Sequence, residues 1–185
     1  MSLPALVLLD RDGVLNADRA DYVKSPAELV MLQGAAAAVA QLNAAGLRVA
    51  LCTNQSVVGR GIISAAMLDR IHDALRDHLA RAGARLDAVF ACTDAPGPFS
   101  THRKPAPGML LDALRRFRVA PADAVMIGDS LRDLDAAASA GTARMLVRTG
   151  HGAATQAAGL PARVLPVGVH ADLAAAVSAL LGSGR

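Results

Sequence analysis

The sequence has almost no aromatic side chains: Phe, Tyr and Trp together make up 2% of 185 residues, and Trp is absent. Base-stacking surfaces need exposed rings, so this scarcity excludes a stacking interface for nucleic acid. Cysteine is nearly absent as well. Cys52 and Cys92 make no disulfide framework, and they fit a reducing compartment. No long basic run exists to form a nucleic-acid tail; the formal charge is +3, and the densest basic clusters are the short pairs Arg103-Lys104 and Arg115-Arg116. No apolar run is long enough to span a bilayer, because the Ala-rich stretch 34–45 is broken by Gln41 and Asn43. The chain does not open on a basic segment followed by a long apolar run, which predicts no signal peptide. These absences predict a soluble, cytoplasmic protein with no nucleic-acid and no membrane partner. A mildly basic monomer acting on a small anionic substrate is expected.

Hydrophobic residues make up 53%, many of them alanine, which favours tightly packed helices on a Val/Leu sheet. The length suits a single domain over residues 1–185. Apolar runs predict strands over 5–9, 47–52, 86–92, 124–127 and 144–147, with a short sixth at 164–165. Helices are predicted over 34–45, 64–82, 107–118, 131–140 and 171–181. The second has Met67, Leu68, Ile71, Leu75 and Leu79 at helical spacing and Ser64 as a cap. Between the third strand and the third helix lies a loop punctuated by Pro96, Pro98 and Pro105. Strands alternating with helices imply crossovers and a mainly parallel sheet. The fold class is α/β: a Rossmann-like three-layer α/β/α domain. About 40 residues separate the first two polar clusters, room for one helix and no large cap domain.

In such sheets ligands bind beyond the carboxyl ends of the strands. Asp10 and Asp12 follow strand one, Thr53-Asn54-Gln55 follow strand two, Gly128-Asp129-Ser130 follow strand four, and Arg103-Lys104 precede a helix at the same edge. Each alone has a plain alternative. The aspartates can be a solvated turn, Thr53-Asn54 a strand end, Asp129-Ser130 a helix cap, and Lys104 a loop charge. Asp133 can serve the helix N-terminus or support a metal. Together they complete one mechanism. Asp10 is positioned to attack phosphorus as a nucleophile, and Asp12 to act as acid and then base. Thr53, the Asn54 amide and Lys104 can hold phosphoryl oxygens. Two carboxylates facing an anionic substrate call for a cation, and Mg2+ suits an all-oxygen site made from Asp10, Asp12 (through its carbonyl) and Asp129.

These residues resemble the haloacid dehalogenase superfamily. Asp10–Asn16 resembles its first motif, Thr53-Asn54 the second, Lys104 the third, and Gly128-Asp129-Ser130 with Asp133 the fourth, over about residues 5–150. The finer resemblance is to the group that holds heptose 1,7-bisphosphate 7-phosphatases and histidinol-phosphate phosphatases. It is carried by Asn54-Gln55-Ser56 with Gly59-Arg60-Gly61, Arg103-Lys104-Pro105 and Leu146–Gly150. It implies an aspartyl-phosphate phosphomonoesterase for a small phosphorylated sugar, with histidinol phosphate or another small ester as the alternative. By the same analogy Asn54, Gln55, Arg60 and Arg103 surround the substrate, although Arg60 in its Gly-rich turn also reads as a surface charge. The chain departs from the group's zinc loop. Where Cys-x-His and Cys-x-Cys are common, it has Cys92-Thr93-Asp94 and Ser100-Thr101-His102. One cysteine is left, so no structural zinc is expected. Segment 150–159, which contains His151, reads either as a flap over the site or as an inert connection.

Overall fold

Leu6–Leu9 forms strand β1, fully buried, in the computed structural model, which describes residues 3–97 and 100–182. Pro98 of the proline-rich loop lies outside the described residues. The strand's period of two sends alternate side chains to opposite faces. Leu6 and Leu8 join one core and Val7 and Leu9 the other. A strand covered on both faces needs partners on both edges. These are β2 (Arg48–Asn54), which continues outward to β3 (Ala88–Cys92), and β4 (Ala124–Gly128), which continues to β5 (Ala143–Val147) and β6 (Gly168–His170). The order is β3-β2-β1-β4-β5-β6 and every pairing is parallel.

Helix α1 (Ala35–Ala44) packs on the Val7/Leu9 face. A single turn, α2 (Ser56–Gly59), follows β2. Helix α3 (Ala65–Arg81) joins α1 by burying Leu68, Ile71, Leu75 and Leu79. It starts where Ser64 Oγ accepts from Met67 N–H at 3.1 Å, and its last turn carries His78 and Arg81, which suit the negative end of the dipole. On the Leu6/Leu8 face lie α4 (Gly108–Phe117) and α5 (Leu131–Ala140). A short helix, α6 (Gly152–Ala157), precedes β6, and α7 (Leu173–Gly182) returns to the α1 side. The three layers are those expected from the sequence. Between β1 and β2 lie only loop, one 3-10 turn and α1, so no cap domain is inserted there.

The sixth strand is a correction. Ala162–Val164 is a 3-10 turn, and Val164 is buried beneath α5, beside Leu134 and Leu146. The strand that pairs with β5 is Gly168–His170, which carries a single apolar residue. Its pairing partner, not its own pattern, makes it a strand.

Candidate active site

In this strand order the crossovers diverge from β1 and β4, and a crevice opens beyond their carboxyl ends. A cleft of about 760 Å³ lies there. Asp10, Asp12, Asn54, Arg60, Arg103, Lys104 and Asp129 all line it. Thr53 and Gln55 lie beneath, with 1% and 4% of their surface exposed.

Asp10 is the first residue past β1. Its Oδ1 accepts from Arg11 N–H at 2.7 Å and ion-pairs with Lys104 Nζ at 2.9 Å. Burial pushes its carboxyl up to about 7, against the pull of Lys104 and with help from Asp133, Asp129 and Asp12. Lys104 is 2% exposed and also pairs with Asp133 Oδ1 at 2.6 Å. Burial opposes its charge, but the two carboxylates outweigh burial and hold the ammonium above its usual range. Asp133 serves the helix N-terminus and also braces Lys104. Its Oδ2 accepts from Ser130 N–H and Oγ–H at the start of α5, while Oδ1 faces Lys104.

Asp12 is held differently. Its Oδ1 accepts from Asn16 Nδ2 at 2.8 Å and from the Arg11 guanidinium, and its Oδ2 from Gln55 Nε2 at 2.9 Å. Burial works against its charge, yet Arg11 and these hydrogen bonds together keep it below the usual carboxylate range. Gln55, expected beside the substrate, is buried and ties Asp12 to Thr53, donating to Thr53 Oγ1 at 2.8 Å. Asn54 uses both ends of its amide on the main chain of Lys104, each at 3.0 Å. It therefore sets the position of the lysine as well as lining the cleft. The Arg60 guanidinium sits 5.8 Å from the Tyr22 ring centre, and Arg103 reaches Asp94 O at 3.4 Å.

Asp129 ends the turn after β4. Its Oδ2 accepts from His151 N–H at 2.7 Å. Two glycines press against it: a Cβ at Gly13 or at Gly150 would stand 2.1 Å from that same oxygen, and both glycines have positive φ. Only residues without a side chain let these two turns close over the carboxylate. Burial pushes Asp129 up to about 7, against the His151 amide.

One oxygen from each of Asp10, Asp129 and Asp133 lies within 4.8 Å of the others. Asp133 is committed to Lys104 and Ser130, which leaves Asp10 and Asp129 to a cation. The turn's hydrogen bonds leave the carbonyl of Asp12 unused. The buried carboxylate of Asp129, the partly buried one of Asp10 and a free carbonyl fit a hard divalent cation held by oxygen. Among the described residues, Cys92, Asp94 and His102 do not form a metal-binding group. His102 Nε2 faces Asp112 Oδ2 at 3.0 Å. Instead Ser100 Oγ donates to Asp94 Oδ2 at 2.5 Å, accepts from Arg103 N–H at 2.9 Å and meets Cys92 Sγ at 3.6 Å. The serine binds both ends of the loop.

The sequence reading missed several residues of the site. Arg11, 1% exposed, points inward to Asp12 and to His72, whose Nε2 is 3.5 Å away. Asn16 and Tyr22 were unsuspected, as was Arg132 on the cleft wall. Segment 150–159 is tied to the site rather than inert: His151 binds Asp129 through its amide and Asp18 through its ring at 2.9 Å, and Thr155 Oγ donates to Asp129 O. Arg11 and Asn16 lie inside the Asp10–Asn16 motif, which gave them no role of their own, and Arg132 carried a local signal as a cation in the first turn of a helix, where the dipole disfavours it.

A family model of haloacid dehalogenase-like hydrolases matches residues 4–141. The D-glycero-beta-D-manno-heptose-1,7-bisphosphate 7-phosphatase of Bordetella bronchiseptica is 46% identical over 95% of this chain and 97% of its own length. The enzyme of that name from Pseudomonas aeruginosa is 38% identical over 96% and 98%. The crystal structure of D,D-heptose 1,7-bisphosphate phosphatase from B. bronchiseptica, complexed with magnesium and phosphate, superposes with a TM-score of 0.91 at 45% identity, covering 99% of each chain.

Proposed function

The chain belongs to the haloacid dehalogenase-like hydrolases, and from that membership we propose that it is a magnesium-dependent phosphomonoesterase removing the 7-phosphate of D-glycero-β-D-manno-heptose 1,7-bisphosphate. The observation that carries this is the pairing of Asp10 and Asp12 on one turn, with Lys104 bonded to the first and Arg11 to the second. Relatives 38–46% identical along nearly their whole length are named for this reaction, and that supports the substrate and its β anomer.

An Asp10 carboxylate oxygen attacks phosphorus as the ester P–O bond breaks, and Asp12 gives a proton to the departing sugar oxygen. The product is an acyl phosphate on Asp10. Asp12, now a carboxylate, takes a proton from water, whose oxygen attacks phosphorus. Inorganic phosphate leaves and Asp10 is restored. Without substrate Asp12 is held ionised. The arrival of a phosphate dianion beside it favours the protonated form that the first step needs. Lys104, fixed by Asn54, Asp10 and Asp133, offers its charge to the phosphoryl oxygens, and the Thr53 hydroxyl is free to donate. Magnesium, held by Asp10, Asp129 and the Asp12 carbonyl, adds positive charge against those oxygens. We assign the enzyme to supply of heptose for lipopolysaccharide precursors and, with its two free cysteines, to the cytoplasm as a monomer.

The test is acid-quenched enzyme after brief exposure to substrate labelled in the 7-phosphate. Wild type should retain label, which borohydride should release as phosphate while reducing the Asp10 side chain to homoserine, and Asp10→Asn should retain none and release no phosphate. Label on another residue, or turnover by Asp10→Asn, would refute the mechanism.

A further inference from the structure

Three arginines from separate parts of the chain line the same cleft as the aspartates: Arg60 after α2, Arg103 in the loop before α4, and Arg132 in the first turn of α5. Asp10, Asp12, Asp129 and Asp133 are already engaged with Lys104, Arg11, Ser130 or His151. None of these carboxylates pairs with the three. Among the described residues Arg132 has no hydrogen bond or ion pair, Arg60 has only the face of Tyr22, and Arg103 has one long bond to a carbonyl. Partial burial and then the nearby charges of Arg132 and Arg60 push the Arg103 guanidinium below its ordinary range. Arg103 thus feels the charge of each of the other two across the cleft they share.

Arg132 has a second cost. It is the second residue of a ten-residue helix, where a cation meets the positive end of the dipole. An exposed residue at that place has no packing reason to be cationic. Both unfavourable terms reverse when an anion enters between the guanidinium groups, because they then share a multivalent partner that suits their planar donors.

The phosphate undergoing transfer is served by Lys104 and Asp10 at the floor. We propose that Arg132, together with Arg60, binds the other phosphate of a bisphosphate substrate, extending the reach of Arg103, and so sets the preference for a bisphosphate over a monophosphate. This rests on the phosphatase reading above. It assigns Arg132 to substrate binding and not to the chemistry.

The test compares kcat/KM for heptose 1,7-bisphosphate with that for the same sugar carrying only the 7-phosphate, in wild type and in Arg132→Gln. One charge-assisted contact at a solvent-exposed rim should make the loss on the bisphosphate about tenfold greater than on the monophosphate. The change should sit in KM, and Arg132→Lys should recover part of it. Parallel losses on both substrates, or no loss on either, would overturn the assignment. Wild-type rates judge the phosphatase reading separately. If wild type hydrolysed neither heptose ester, that reading would fall, and Arg132 would be judged by the same ratio for fructose 1,6-bisphosphate against fructose 6-phosphate.

Discussion

Replacing Lys104 by methionine keeps the length of the side chain but removes a buried cation 2.9 Å from Asp10 and 2.6 Å from Asp133. The Asp133 carboxylate, 1% exposed, is left with only Ser130. Removing one partner of a buried pair costs about 3–5 kcal/mol, because the other charge stays desolvated. For a domain of this size each kcal/mol moves Tm by about 2–4 °C, so a fall of about 6–20 °C is expected. The pH dependence identifies the cause. In wild type burial opposes the Asp133 charge, but Lys104 and Ser130 outweigh it and hold the carboxyl below its ordinary value of 3.8. That stabilisation is complete above 3.8 and is lost as pH falls through the folded value. Without Lys104 burial raises the group instead, and the sign reverses: the variant's deficit should shrink as pH is lowered from 8 toward 5, about the range over which a buried carboxyl regains its proton. Thermal denaturation across that range measures it. Pairing the change with Asp133→Leu should return most of the stability without returning activity. A deficit below about 1 kcal/mol, or one indifferent to pH, would refute the claim that Lys104 compensates a buried charge.

His72 is pushed down to about 4 by burial and then by Arg11. The unfolded chain takes up a proton near 6.5 and the folded one does not, so His72 should remove up to about 3 kcal/mol of stability as pH falls from 6.5 to 4. His72→Gln should flatten that part of the unfolding profile, and an unchanged slope would count against it. Asp10 and Asp129, both pushed up to about 7 by burial, should make the metal-free protein lose stability as pH rises from about 4 to 7. Added magnesium should therefore raise Tm more at pH 8 than at pH 5.5 and release protons near neutrality, as calorimetry in two buffers would register. Ser100→Ala removes the bond to Arg103 N–H and the bridge to Asp94. It should raise KM about 5- to 30-fold with little change in kcat, and Ser100→Thr should restore it.

Strands β1, β2 and β4 could be read from sequence because a strand buried on both faces leaves a continuous apolar run, as Leu6–Leu9 and the Val/Met/Ile of β4 do, and the partly exposed β3 and β5 still keep mostly apolar runs. The sixth could not. Gly168–His170 is a three-residue edge strand whose pattern carries no signal, whereas the apolar pair Val164-Leu165 suggested a strand and instead closes a turn over α5. Asp10, Asp12, Lys104 and Asp129 could be read because each follows a strand or precedes a helix at the same sheet edge. Arg11, Asn16 and His72 escaped for a common reason. Nothing local distinguishes a polar side chain turned inward to hold a carboxylate from one turned to water. The contact of Gly150 and His151 with Asp129 crosses more than a full βα unit, and spacing alone cannot reveal it.

The most direct test of the central claim is magnesium-dependent phosphate release from both anomers of heptose 1,7-bisphosphate, histidinol phosphate, fructose 1,6-bisphosphate and an aryl phosphate, measured as kcat/KM. The account predicts that the β anomer of the heptose bisphosphate exceeds every non-heptose ester by about 100-fold or more, near 2.7 kcal/mol of transition-state discrimination. Low and equal rates across the set would contradict it.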